Sequence, residues 1–149
     1  MLAPHPLPPK LAHIVTEMQR LDRRAKLEYL LDYADQLPPL PAHIASHHDA
    51  MRQVDACITP IFVQAELRQG RMQFYLDVSP NAPTMRGYCS LLLSVLNDQP
   101  PAVILAIPHD IHIQMGLNQI LAPQRLNEIV HVLQAMQRLA RSLAEEAQT

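Results

Sequence analysis

The sequence predicts an α+β domain, and three observations carry that prediction. Ile61, Val63, Ala65 and Leu67 alternate with Phe62, Gln64, Glu66 and Arg68, and Met72, Phe74, Leu76 and Val78 alternate with Arg71, Gln73, Tyr75 and Asp77. Period-2 patterning describes strands with one covered face. Gly70 between the runs is able to take positive φ, which makes the pair a β-hairpin. On both sides of the hairpin, apolar residues recur at three- and four-residue steps, the mark of amphipathic helices. Helices are then the only cover available to the sheet, and strands clustered mid-chain among helices give the α+β class.

Residues 1–9 hold four of the 14 prolines and are expected to form a loose arm. A helix is predicted from Pro9, where a missing N–H costs nothing, with Leu11, Ile14, Val15, Met18 and Leu21 on its apolar face. Asp22 suits an N-cap for a second helix bearing Leu27, Leu30, Leu31, Ala34 and Leu37, and Pro38-Pro39 ends it. These two helices are expected to pack on each other. Residues 38–53 read as a long loop, and a third strand is expected near Met51–Ala56. After the hairpin, Asn81 or Thr84 is the expected cap of a helix through Tyr88, Leu91, Leu92, Val95 and Leu96. Short helices are predicted from Pro100-Pro101 to Leu105 and over Asp110–Leu117. Pro123 opens the longest helix, with Leu126, Ile129, Val130, Leu133, Met136, Ala140 and Leu143 as its apolar face and 145–149 as a fraying end.

The chain has 149 residues, the usual size of one domain, with 48% hydrophobic and 17% charged residues, which is a composition that buries a core. Net charge is −2 and the basic residues are dispersed, against nucleic acid as the main ligand. No run of 18 apolar residues spans a membrane, and no signal peptide is visible, so a cytoplasmic location is expected. Neither a Gly-rich phosphate loop nor a Gly-x-Ser-x-Gly or His-Glu-x-x-His motif occurs. The eight histidines include the adjacent His47-His48 and the i, i+3 pair His109 and His112. With no third ligand fixed by spacing they read as surface residues, and no metal site is expected. The two cysteines, Cys57 and Cys89, read as free thiols of a reducing compartment. Cys89 falls at core spacing with Leu92 and Leu96 and is expected to be buried and inert.

Cys57 lies in Val54-Asp55-Ala56-Cys57-Ile58-Thr59-Pro60-Ile61-Phe62, at the turn into the first strand of the hairpin. A thiol at a strand entrance can meet a partner, although an unperturbed cysteine is only about 3% thiolate at pH 7. The pattern Val-x-x-Cys-x-x-x-Ile-Phe, the hairpin, and then Ala82-Pro83-Thr84-Met85-Arg86-Gly87 resemble the SufE family. So do Lys10-Leu11 through Pro38-Pro39-Leu40-Pro41 and the closing Leu121-Ala122-Pro123-Gln124-Arg125-Leu126. The resemblance runs from about Lys10 to about Arg141, nearly the whole chain.

The resemblance implies a SufE/IscU-like fold as a single domain over 1–149, and a protein that is not an enzyme on its own. It implies that Cys57 takes persulfide sulfur from a cysteine desulfurase, activates that enzyme, and relays sulfur to an iron–sulfur scaffold complex. The pyridoxal phosphate would belong to the SufS-like desulfurase, so no cofactor is expected here, and homodimerisation is left open. Arg125 and Arg86 match family positions on or near the partner-facing surface around the cysteine. Asp77 matches one that could hold the cysteine loop by hydrogen bonds. Ile58, Ile61 and Phe62 are expected to cradle the thiol, and Cys57 is expected to point inward in the free protein and to swing out on docking. Two departures stand out: Ala56 where the family has glycine, and Ala122 where it often has serine as an N-cap. Two other classes compete, a thiol redox protein using Cys57 and a binding module in which neither cysteine matters.

Overall fold

The structure is a computed structural model that describes residues 7–55 and 57–148. In chain order it forms α1 (Pro9–Gln19), α2 (Arg23–Ala34), α3 (Ala42–Ala45), β1 (Arg52–Gln53), β2 (Ile61–Arg68) and β3 (Arg71–Val78). Then follow α4 (Pro83–Leu96), α5 (Pro101–Leu105), α6 (Ile111–Gln114) and α7 (Pro123–Ala147). Single 3-10 turns lie at His48–Ala50 and Leu117–Gln119. This is the expected α+β architecture.

The hairpin follows its alternation. Ile61 faces Val78, Val63 faces Leu76, Ala65 faces Phe74 and Leu67 faces Met72, so the apolar sets share one face and one register. Gln69 (φ 54) and Gly70 (φ 78) both sit in the left-handed region, the two-residue turn whose twist matches that of the strands. β1 adds an antiparallel third strand only two residues long, pairing Arg52 with Val63 and Gln53 with Phe62, shorter than the expected 51–56. The free edge of β3 is partly closed by the chain after α4. Asn97 Oδ1 accepts the N–H of Phe74, and Met72 exchanges backbone bonds with residues 98 and 99.

The inner face of the sheet is covered by α4, against β3, and by α7, against β2. Behind α4 lies α2. This corrects the expected α1–α2 pairing: α2 packs along α4, and Tyr29 Oη donating to Glu17 Oε2 at 2.9 Å is a tie back to α1. Gly87 makes the α2–α4 approach close, since a Cβ there would stand 2.2 Å from the Leu30 carbonyl oxygen. α2 also buries Lys26 beside Leu30 and Ala34, which the apolar spacing did not indicate. Its Nζ donates to the Leu21 carbonyl, and its stem crosses Gly116, where a Cβ would stand 2.5 Å from Lys26 Cε.

Other local expectations are corrected too. Asp22 caps α2, accepting from the Ala25 N–H at 2.8 Å, but α4 begins at Ala82 without a side-chain cap, and neither Asn81 nor Thr84 supplies one. The 38–53 loop contains α3, a 3-10 turn and β1. Of the arm at 1–9, residues 1–6 lie outside the described residues, whereas Leu7 packs on the core, Pro8 is buried and Pro9 is already helical. On α7, Val132 rather than Val130 faces inward together with Ile129, Leu133, Met136 and Ala140. The helix runs on to Ala147, through three of the residues expected to fray.

Candidate functional site

Cys57 sits where the chain leaves β1 and enters β2. The Val54 N–H donates to the Ile61 carbonyl at 2.8 Å and closes the neck of this loop. The tip is thereby carried away from the sheet and laid on the N-terminal part of α7, which already packs on β2. Ala56, the departure from the family's usual glycine, lies outside the described residues.

Three consecutive loop residues end on α7. The Cys57 thiol, half-buried against the core, points to the Glu128 carbonyl oxygen at 3.9 Å, a weak sulfur contact. The Ile58 N–H donates to Glu128 Oε1 at 3.2 Å. Thr59 Oγ1 accepts from Arg125 Nη1 at 3.3 Å, and Arg125 Nη1 also meets Glu128 Oε2 at 3.2 Å. At the other side of the tip, Arg138 and Asp55 stand 3.9 Å apart, a loose pair with both ends exposed.

Glu128 is the residue of this cluster that sequence reasoning missed. It is 1% exposed, on a helix face read as apolar, and such a carboxylate is tolerable only with donors aimed at it. The available signal was the i, i+3 spacing to Arg125, which brings acid and base onto one helical face. Of the expected cradle, Ile61 belongs to the core on which Cys57 packs, whereas Ile58 is turned to solvent. Ile58 is 74% exposed, Ile61 is fully buried, and Phe62 meets the His48 ring edge-on at 4.6 Å.

The electrostatics of the site hold the thiol neutral. Burial is the largest influence, and the Glu128 carboxylate adds to it, so that Cys57 is pushed up to about 11. Arg125 opposes this and Asp55 reinforces it, with the smaller effects. At pH 7 the free protein thus keeps Cys57 overwhelmingly as the neutral thiol. Cys89 is fully buried on α4, as expected, and burial with a contribution from Cys57 pushes it up to about 12.

Of the other expected site residues, Arg125 is brought to the cysteine and two are occupied elsewhere. Arg86 donates to the Val78 carbonyl at 2.7 Å and to the Ala34 carbonyl at 3.1 Å, tying the ends of β3 and α2 to α4. Asp77 Oδ2 pairs with His48 Nε2 at 2.7 Å, so it holds the 3-10 turn before β1 rather than the cysteine loop. His112 is buried on α6, contrary to the surface placement expected of the histidines. Among the described residues, no group of three or more His, Cys, Asp and Glu side chains is arranged to hold a metal ion. None of the described helices is long and apolar enough to cross a membrane.

Comparison with known proteins covers nearly the whole chain. Residues 12–140 match the family model described as SufE, the Fe-S metabolism associated domain. An uncharacterized SufE-like protein of Mycobacterium tuberculosis is 35% identical over 142 residues, 95% of this chain and 98% of that protein. SufE-like protein 1, chloroplastic/mitochondrial, of Arabidopsis thaliana is 31% identical over 135 residues, 90% of this chain and 35% of that longer protein. The solution structure of a hypothetical protein from Thermus thermophilus superposes with a TM-score of 0.83 at 28% identity, covering 94% of this chain and 99% of that one.

Proposed function

The chain belongs to the SufE family, which is associated with Fe–S metabolism, and on that premise we propose that it is a sulfur acceptor whose acceptor atom is Cys57 Sγ. The donor is a pyridoxal-phosphate-dependent cysteine desulfurase carrying a persulfide on its own cysteine. The Cys57 thiolate attacks the outer sulfur of that persulfide. The S–S bond in the desulfurase breaks, its cysteine leaves as a thiolate, and Cys57 becomes the persulfide. One S–S bond forms as one breaks, so no outside oxidant or reductant takes part. Clearing the desulfurase cysteine activates that enzyme for its next turnover, and the sulfur then passes to an iron–sulfur scaffold complex. On this reading the chain turns over no substrate of its own, needs no resident cofactor and works in the cytoplasm.

The observation that carries the reading is the segment 57–59: a thiol shielded by α7, beside the exposed Ile58. A carrier must keep its persulfide from reductants and yet present it to a partner, and a tip resting on a helix by a few bonds suits both. The thiol redox reading has one observation in its favour, that Cys89 lies within electrostatic reach of Cys57. Full burial of Cys89 and its strongly raised titration make it a poor resolving thiol.

Intact mass after incubation with cysteine and the desulfurase from the same cell tests the proposal, using wild type, Cys57→Ser and Cys89→Ser. A reductant-sensitive gain of sulfur that is lost only in Cys57→Ser is the expected result. No gain in any of the three, with the desulfurase active, overturns it. Loss of two hydrogen atoms on treatment with an added disulfide oxidant, absent from either single variant, would favour the redox reading.

A further inference from the structure

We infer that Glu128 is a positioning residue: its carboxylate, shared between the Ile58 N–H and Arg125, clasps the Cys57 loop onto α7 and holds the thiol inward in the free protein. The inference rests on the proposed acceptor role of Cys57 and adds the device that decides when the thiol reacts.

A buried carboxylate is costly unless donors compensate it, and both donors here are committed to the loop. Oε1 receives the amide directly after Cys57, and Oε2 receives the guanidinium that also binds Thr59. One carboxylate therefore binds the loop directly at Ile58 and, through Arg125, at Thr59. Removing that carboxylate leaves an amide without its acceptor and an arginine without its counter-charge, so residues 57–59 keep the Arg125–Thr59 bond and the weak Cys57 contact to the Glu128 carbonyl. The charged and titratable groups around the thiol are Glu128 and Arg125 on α7, Asp55 in the loop, and Cys89 on α4. Arg138 reaches this set through Asp55. Of these, Glu128 alone both touches the loop backbone and disfavours the thiolate, which makes it the lever for geometry and for reactivity together. A docking partner that competes for Arg125 or draws out Ile58 would open the same clasp.

The test is the pH profile of Cys57 alkylation by iodoacetamide, read by intact mass in a Cys89→Ser background without desulfurase. Glu128→Gln keeps an acceptor for the Ile58 N–H and removes the charge, whereas Glu128→Ala removes both. Thermal melting establishes that each variant is folded. In Glu128→Gln the alkylation midpoint is expected to fall by about one unit, raising the rate at pH 8 about tenfold. In Glu128→Ala the rate is expected to rise further, with faster hydrogen exchange at the Ile58 amide. Midpoints and rates equal to wild type in folded Glu128→Gln would overturn the inference, and this outcome stays available if Glu128→Ala fails to fold. Because no partner is present, a failed sulfur transfer in the intact-mass experiment would count against the acceptor role alone.

Discussion

Glu128 and Ile58 are 70 residues apart in sequence, yet the carboxylate of one accepts the backbone N–H of the other at 3.2 Å. That bond joins the loop bearing Cys57 to the helix that covers the sheet. It brings beside Cys57 a carboxylate 71 residues away in sequence.

Arg125 and Glu128 should be energetically coupled. Arg125→Ala leaves a carboxylate 1% exposed with one donor fewer, which is expected to cost about 1–3 kcal/mol in urea unfolding. The half-exposed guanidinium keeps the loss toward the lower end. In a Glu128→Gln background the same change should cost less, leaving a coupling of about 1 kcal/mol. Additivity of the two substitutions would show that the pair is incidental.

Alkaline pH should destabilise the fold through its thiols. Cys89 and Cys57 are raised from an ordinary 9.0 to about 12 and about 11, so the folded chain retains protons that the unfolded chain releases. The stability from the neutral thiols is complete below pH 9 and is lost as pH climbs through the raised values. For Cys89, fully buried, the slope is about 1.4 kcal/mol per pH unit across that window. Unfolding free energy measured from pH 8 to 11 should fall less steeply in Cys89→Ser than in wild type. Identical slopes would contradict this account.

Gly87→Ala should destabilise the fold without altering the thiol. The new Cβ would meet the Leu30 carbonyl at 2.2 Å, and the backbone of α2 cannot yield as a side-chain end would. A loss of about 1–3 kcal/mol is expected, lowering Tm by roughly 3–10 °C. An unchanged Tm in a scanning-calorimetry run would mean that the two helices can part freely.

Arg86 and Asp77 should separate from the cysteine loop in function. Arg86→Met leaves the carbonyls of Ala34 and Val78 each without this donor and is expected to cost about 1–3 kcal/mol. Asp77→Asn should speed hydrogen exchange over residues 47–53 by weakening the tie to His48. Neither should shift the alkylation midpoint of Cys57. A shift in either variant would return these residues to the site.

Ile58 should act on docking alone. Its side chain is 74% exposed, so Ile58→Asp ought to change stability by less than about 0.5 kcal/mol. Titration calorimetry against the desulfurase should show weaker binding, whereas wild-type affinity would remove Ile58 from the interface.

What the sequence determined by itself is what depends on local periodicity. Alternation set the hairpin register, because a one-residue slip would turn Ile61, Val63 and Ala65 outward. Helical spacing and prolines located α1, α4 and α7, and ordered motifs located Cys57 at the entrance of β2. Where local patterning underdetermined the answer, tertiary structure decided it. Lys26 is buried because Gly116, 90 residues on, leaves its stem room. Arg86 is a structural tie because the two carbonyls it reaches come from α2 and β3. The seating of the Cys57 loop on α7 is a property of neither element alone. It follows from a buried carboxylate whose donors are supplied only when the fold brings the two together.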